Sequence, residues 1–272
     1  MCISVHQLCY VHADKEPLFQ NINLIVNTGQ RLALVGNNGT GKSTLLRIIE
    51  GNLKPSSGEV VCSSRPYYIP QHFGQFDNLT VAEALRVDDR IKALHAILEG
   101  DASAENFTCL NDDWDVEERC LSALASWNLE HLQLSQPMCS LSGGEKTKVF
   151  LSGILVHAPE IILMDEPTNH LDIKYQLEIM DIVKGLGHTV VAAVHDLNIA
   201  AMYCDRLIAI QQGKVVGVGT PHELLTVDFI KALYDVDSEI HYDEKTGRMN
   251  IMYIPRHWKE TDDETNSDFN MS

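Results

Sequence analysis

No stretch of the sequence approaches the roughly 20 consecutive apolar residues that a membrane-spanning helix needs. Residues 1–16 also lack the cationic start and following apolar block of a secretory signal. Both absences lead us to expect a soluble, cytoplasmic protein. The 272 residues are 44% hydrophobic and 22% charged, a globular composition that suits one domain with a side lobe.

Positive charge is scarce as well, since 21 Lys and Arg against 38 Asp and Glu give a formal net charge of −17. Proteins bind nucleic-acid backbones chiefly through Lys and Arg that displace counterions, so we expect no direct DNA binding. Seven cysteines are present without a C-x-x-C pair. Their odd number and scattered positions suit packing roles in a reducing compartment and argue against a cysteine metal site.

Hydrophobic periodicity divides the chain into three parts. Residues 3–70 are rich in strand patterns, with alternation at residues 21–26, an apolar run at residues 31–35 and a β-prone stretch at residues 59–69. From residue 160 onward, apolar strands alternate with helical segments. This alternation predicts an α/β fold with a buried parallel sheet and right-handed crossovers.

The part in between, residues 78–157, changes to a helical period and predicts a helical lobe inserted into the α/β core. Thr80 and Glu83 form a capping-box pattern at its start. Residues 100–118 are acidic and rich in turn formers, so we expect an exposed excursion between two helices. The apolar residues predicted to share one helix face are Val81, Ala84, Leu85, Ile91, Leu94 and Leu98.

The C-terminal part carries further local signals. Thr220, Pro221 and Glu223 stand where an N-cap, a first-turn proline and an acid would open a short helix. After Ser238 we expect a terminal hairpin. Residues 1–258 are predicted to form one domain, and residues 259–272, which are polar and acidic, to be disordered.

A glycine-rich motif follows the apolar run at residues 31–35 and precedes a helical segment. Backbone N–H groups in such a loop converge on phosphate oxygens at a helix N-terminus, whereas a glycine-rich turn without a ligand needs no such flanking elements. Lys42 is predicted to reach the β- and γ-phosphates of a nucleotide, and Ser43 to bind Mg²⁺. The motif G-x-x-x-x-G-K-[ST] and the residue after it comprise Gly36, Asn37, Asn38, Gly39, Thr40, Gly41, Lys42, Ser43 and Thr44.

Residues 161–164 are apolar and are followed by two acids, Asp165 and Glu166. A buried parallel strand would deliver both carboxylates to the carboxyl edge of the sheet, where ligands bind. Asp165 is predicted to hold Mg²⁺ and Glu166 to polarise the attacking water, because phosphoryl transfer depends on positioning and charge neutralisation. Acids at a strand end are common, so this pattern gains its weight from the glycine-rich loop.

Ser142, Gly143 and Gly144 form a second anion-binding pattern. Ser142 and Glu145 also match a capping box, which explains those two residues but not the adjacent glycines. One domain does not need two amide cradles for one nucleotide. The economical arrangement is a head-to-tail homodimer in which residues 142–144 of each chain close on the partner's ATP.

With residues 141–145 (LSGGE), 164–172 (MDEPTNHLD) and 194–196 (VHD), these motifs resemble the ABC (ATP-binding cassette) ATPase family over nearly the whole chain. The resemblance implies a P-loop NTPase cassette with a RecA-like parallel-sheet core, an N-terminal antiparallel β subdomain and an inserted α-helical subdomain. It also implies ATP and Mg²⁺ as cofactors and ATP hydrolysis as the activity.

The resemblance implies roles for further residues. Gln71 is similar to the Q-loop glutamine that senses Mg²⁺ and the γ-phosphate, and His195 resembles the switch histidine that contacts the γ-phosphate. Asp172 resembles the D-loop aspartate at the dimer seam. Tyr10 looks like the aromatic residue that stacks on adenine, with Phe19 as the alternative. The catalytic candidates are therefore Lys42, Gln71, Glu166 and His195, and the metal candidates are Ser43, Gln71 and Asp165.

Two subfamilies are visible. The part from residue 160 onward resembles ATPase subunits of importers for iron siderophores, haem or cobalamin, whereas residues 78–159 resemble ABC-F proteins, which act on ribosomes. The single cassette and the acidic charge favour the importer, whose partner would be an integral membrane permease at the inner face of the cell membrane. The alternatives are an ABC-F ATPase with the ribosome as partner, and a hybrid or truncated cassette.

Overall fold

The computed structural model describes residues 2–12, 16–167 and 172–255. Its main sheet has six strands, which run parallel except at one edge. The carboxyl ends of the parallel strands therefore meet along one edge of the sheet, as the α/β prediction requires. In spatial order the strands are β5 (Tyr67–Ile69), β6 (Ile161–Asp165), β7 (Thr189–Ala193), β3 (Arg31–Val35), β8 (Arg206–Gln211) and the antiparallel β9 (Lys214–Gly219).

A second, antiparallel sheet is formed by β1 (Ile3–Val11), β2 (Pro17–Val26) and β4 (Ser57–Cys62), with β1 in the centre. The alternation predicted within β2 is confirmed by the burial of every second residue from Ile22 to Val26. The single β-prone stretch at residues 59–69 is in fact two strands in two different sheets. Pro66 lies between β4 and β5, and it has no N–H with which to continue a ladder.

The main sheet separates two apolar clusters. Leu32 and Leu34 of β3 belong to the cluster that contains α1 (Lys42–Glu50) and the antiparallel sheet. Ala33 and Val35 belong to the other cluster, because successive strand residues point to opposite faces. That second cluster includes residues of α7 (Ile173–Gly185) and α8 (Leu197–Tyr203).

The helical lobe follows β5 and shares the second apolar cluster with the sheet. The predicted capping box at its start is confirmed, since Thr80 and Glu83 each bond the other's backbone N–H. The continuous helix face predicted after it is wrong. Arg86 adopts a left-handed backbone (φ 58°) that ends the first helix, and Leu98 is 72% exposed. The helices are α2 (Val81–Ala84), α3 (Asp88–Leu98), α4 (Ala104–Leu110), α5 (Val116–Ala125) and α6 (Gly143–His157).

The exposure predicted for residues 100–118 is confirmed for most of the segment, but the interpretation as an excursion between two helices is wrong, because α4 forms within it and α5 begins within it. Leu110 and Val116 are fully buried and attach this segment to the lobe. Most of the acidic residues around them face solvent, so the acidic composition of the segment gave no indication that Leu110 and Val116 are buried.

The C-terminal predictions are confirmed within the described residues. Thr220 caps α9 (Pro221–Leu224) through a capping box with Glu223. After α10 (Val227–Tyr234), strands β10 (Asp237–Tyr242) and β11 (Met249–Ile254) pair as an antiparallel hairpin. The tail predicted at residues 259–272 lies outside the described residues. Across the described ranges, the helices are all too short or too polar to span a bilayer.

Candidate functional site

The glycine-rich loop lies between β3 and α1, at the carboxyl edge of the main sheet. A Cβ atom at Gly36 would lie 2.2 Å from the carbonyl oxygen of Ile210, and one at Gly41 would lie 2.5 Å from the Phe19 ring. The loop path therefore depends on glycine at both positions. A cavity of about 710 Å³ opens beside the loop, and its lining includes Asn38, Gly39, Gly41, Lys42, Ser43 and Thr44.

Lys42 begins α1 and is only 4% exposed. Its ammonium donates hydrogen bonds to the carbonyl oxygens of Gly36 at 2.8 Å and Asn37 at 3.1 Å. Burial lowers the pKa of Lys42, against the opposing effect of Glu166 and Asp165. A buried cation at a helix N-terminus forms an anion site, because the amino group and the helix dipole both favour negative charge.

Asp165 ends β6 and faces Ser43 across the loop. The Ser43 hydroxyl donates to Oδ1 of Asp165 at 2.8 Å, and the Tyr68 hydroxyl donates to Oδ2 at 3.0 Å. Burial raises the pKa of Asp165 although both hydroxyl groups favour its charged form. A hydroxyl and a carboxylate at this spacing are the hard oxygen ligands that Mg²⁺ prefers, so the residues present fit this metal ion.

Glu166 is in direct contact with two other predicted residues. The Gln71 amide donates to Oε2 of Glu166, and Nε2 of His195 bonds Oε1. Gln71 follows β5, Glu166 follows β6 and His195 follows β7, so the three adjacent strand ends bring them together. Glu166 has φ +50°, a conformation in which a non-glycine residue is strained and which is found at functional sites. All three residues line the 710 Å³ cavity.

The aromatic candidates for adenine lie differently from the prediction. Phe19 is 1% exposed beneath Gly41, so the alternative assignment of Phe19 as an adenine contact is wrong. As formed by the described residues, the cavity is lined by His12 and Leu18 but not by Tyr10. The Tyr10 and His12 rings pack in a T-shaped arrangement with 5.4 Å between their centroids. Sequence reasoning missed His12, although strand alternation places it on the same face as Tyr10.

The second anion-binding segment lies at the start of α6. Ser142 caps the helix and exchanges hydrogen bonds with Glu145, which confirms the capping box. The cap does not account for Gly143, where an added Cβ would meet no other described atom within 4 Å. Ser142 and Gly144 line a separate cavity of about 200 Å³, which shares no described residue with the first. Asp172, at the N-cap of α7, is exposed.

The two sites are nevertheless connected within the chain. Asp77 lies on the segment after Gln71, and its carboxylate accepts a bond of 2.5 Å from Lys146 of α6. The carbonyl oxygen of Asp77 also accepts from the backbone N–H of Cys139 at 3.2 Å. The segment after Gln71 is therefore bonded directly to the helix that carries Ser142.

The phosphate-binding loop, the paired acids and the parallel sheet define a P-loop ATPase. A family model described as ABC transporter matches residues 19–169. The chain belongs to this family; it is an ABC ATPase and binds ATP.

Similar proteins are transporter subunits. The chain is 33% identical over 245 residues to the petrobactin import ATP-binding protein FpuC of Bacillus anthracis, covering 88% of each chain. It is 31% identical over 244 residues to the hemin import ATP-binding protein HmuV of Bradyrhizobium diazoefficiens, covering 84% of this chain and 87% of that protein. A dimeric ATP-binding cassette, solved after hydrolysis with ADP and Pi, matches with TM-score 0.63 and 27% identity, covering 80% and 98%. The ABC-F alternative has no support in these comparisons.

Proposed function

We propose that this chain is the ATP-hydrolysing subunit of an ABC importer for an iron-siderophore, haem or cobalamin type of substrate. The observation that carries the ATPase part is the contact of Glu166 with both Gln71 and His195 in the cavity that also holds Lys42. The petrobactin and hemin relatives support the class of substrate.

Within the cavity, the phosphate groups of ATP would lie on the loop amides and Lys42. Mg²⁺ would be held by Ser43 and Asp165 with Gln71 nearby, and it would neutralise charge on the phosphate oxygens. Glu166 would orient the attacking water, and His195 would contact the γ-phosphate. Tyr10 and its neighbour His12 are the candidates for stacking on adenine.

The separation of the two anion-binding segments supports a homodimer. Ser142 and the phosphate-binding loop line different cavities of one chain. In the proposed dimer, a second copy would supply residues 142–144 to complete each site. Asp172 would lie at the seam of this dimer. ATP would close the two copies, and hydrolysis would remove the γ-phosphate that holds them together.

A groove separate from the 200 Å³ cavity supports the proposal of a membrane partner. It has a volume of about 660 Å³ and lies between the α/β core and the helical lobe, with Gln71, His72, Phe76, Leu79 and Arg86 among its lining. A cytoplasmic segment of a permease would occupy this groove and place the chain at the inner face of the membrane. Movement of Gln71 would reach the partner through this groove, and it would reach Ser142 through Asp77 and Lys146.

The test uses the Glu166→Gln chain as bait with Mg·ATP in a lysate of its own cell. Recovery of a polytopic membrane protein, followed by ATP-dependent uptake of a siderophore, haem or cobalamin when both proteins are placed in vesicles, is the expected result. Recovery of ribosomes instead, with no membrane protein, would contradict the importer proposal.

A further inference from the structure

Tyr68 lies beside the proposed metal site, and the proposed function assigns it no role. It lies on β5 and is half-buried, whereas Asp165 is only 3% exposed. The hydroxyl of Tyr68 donates to one oxygen of Asp165, and Ser43 donates to the other. Two donors on two oxygens fix the plane of the carboxylate, as one donor could not.

Strand alternation explains why Tyr68, and not its neighbour, reaches this carboxylate. Tyr67 and Tyr68 point to opposite faces of the main sheet. The Tyr67 hydroxyl donates to the carbonyl oxygen of Phe150 in α6 at 3.0 Å, on the face that packs against the helical lobe. Tyr68 packs on the α1 side, where Ser43 lies.

Tyr68 acts from outside the nucleotide cavity. It lines the 660 Å³ groove, and Ser43 and Gln71 line both the groove and the 710 Å³ cavity. Among the described residues, Tyr68 is not part of the cavity lining. Asp165 also lines the groove, and it is bonded to both Tyr68 and Ser43, so the path from Tyr68 to the cavity runs through Asp165 and Ser43.

The burial of Asp165 makes this contact consequential. Its carboxylate is only 3% exposed, so donors from the protein have to replace the water that would otherwise bind its oxygens. Ser43 and Tyr68 supply these donors, and hydrogen bonds to charged groups are stronger than neutral ones. Loss of the Tyr68 donor would leave one oxygen of a buried carboxylate without its partner.

We propose that Tyr68 is a positioning residue, which orients the carboxylate of Asp165 for Mg²⁺ without touching nucleotide or metal. The proposal rests on the assignment of Ser43 and Asp165 as metal ligands under the proposed function. It predicts that Tyr68 matters only for the part of ATP binding that depends on Mg²⁺.

The test measures binding of a fluorescent ATP analogue to the Tyr68→Phe chain, once in Mg²⁺ and once in EDTA. Affinity in EDTA should stay at the parent value, while the gain in affinity on adding Mg²⁺ should fall about tenfold, as expected for one charge-assisted hydrogen bond. The Mg²⁺ concentration for half-maximal ATPase should rise by a similar factor. In an Asp165→Asn chain, adding Tyr68→Phe should change neither quantity.

Tyr67→Phe is the matched control, because it removes one hydroxyl hydrogen bond from the same strand on the opposite face. It should lower the thermal midpoint and leave the Mg²⁺ dependence unchanged. Equal loss of affinity for Tyr68→Phe with and without Mg²⁺, including a failure to fold, would assign Tyr68 to stability alone and overturn the proposal. Unchanged Mg²⁺ dependence would overturn it as well, yet would leave the importer proposal standing. Absence of any Mg²⁺ effect in the parent chain would instead count against the proposed metal site.

Discussion

The two anion-binding segments of the chain differ in how well their side chains are buried and held by hydrogen bonds in the absence of a ligand. In the α/β core, Lys42 is 4% exposed and bonded to its own loop, and Asp165 is 3% exposed and held by two hydroxyl groups. On the helical lobe, Ser142 and Gly143 are exposed, and among the described residues the Ser142 side chain is bonded only to Glu145 of its own helix cap. Under the proposed function, the core segment binds nucleotide alone, whereas the lobe segment meets a nucleotide only in a dimer with a second chain. The predictions below separate these two parts, in order of decreasing effect.

Glu166→Gln should have the largest effect. The amide keeps the shape of the side chain but cannot accept a proton from the attacking water, so ATP hydrolysis should fall about a thousandfold while binding persists. An ATP-dependent dimer should accumulate and be visible by size-exclusion chromatography. Glu160→Gln, just before the opposite end of β6, is the matched control and should hydrolyse ATP like the parent. If the Glu166→Gln chain stays monomeric at saturating Mg·ATP, the proposed role of the lobe segment in an ATP-dependent dimer is contradicted.

Lys42→Ala should have the next largest effect, and it acts on the core segment alone. Loss of the buried ammonium removes a charge from the phosphate site, and ATP affinity measured by calorimetry should weaken about a hundredfold. Lys54→Ala, at an exposed lysine beyond α1, should leave affinity unchanged. Unchanged affinity in Lys42→Ala would overturn the phosphate assignment.

Ser142→Ala should spare nucleotide binding by the monomer and impair the dimer. We expect ATPase activity to fall about tenfold, because a phosphate hydrogen bond across the interface is lost. The variant also loses a helix cap, at a cost of about 1 kcal/mol of stability. Thr80→Ala removes the other capping box of the same lobe and controls for that cost. Equal ATPase loss in both variants would reduce Ser142 to a structural cap.

Tyr234→Phe should have the smallest effect and tests what holds the core segment in place. The backbone N–H of Gly36 donates to the Tyr234 hydroxyl at 2.9 Å, and the Asn37 side chain donates to the Leu233 carbonyl at 3.0 Å. Loss of the acceptor leaves a half-buried N–H unpaired, so ATP affinity should weaken about fivefold. Tyr242→Phe, at a tyrosine that is 52% exposed, should bind ATP like the parent. Equal affinities would show that α10 does not support the loop.

The core could be predicted from sequence because its signals are local. The strand at residues 31–35, the glycine-rich loop and the acids at the end of β6 can each be recognised from one short segment of sequence. The observed β3 has the predicted bounds. The sequence resemblance also assigned Gln71 and His195 to the nucleotide site of Glu166, but their direct contact depends on the order of β5, β6 and β7 in the sheet. That order is a tertiary property.

The helical lobe was predicted less well for a related reason. Its apolar pattern is interrupted by Arg86 in a left-handed conformation, and α4 is held by Leu110 within an acidic stretch. Neither feature has a periodic signal, because packing against the rest of the lobe decides both. Tyr234 was missed likewise, since it reaches the backbone of Gly36 from a segment far away in sequence. His12 was missed although it lies only two residues after Tyr10.

Mixing two impaired chains tests the central claim most directly. In a head-to-tail dimer of a Lys42→Ala chain with a Ser142→Ala chain, one of the two sites combines an intact phosphate-binding loop with an intact Ser142. The account predicts that the mixture hydrolyses ATP faster than the sum of the two variants measured separately. A mixture that never exceeds that sum, although the two chains associate, would show that residues 142–144 do not complete the nucleotide site of a second copy.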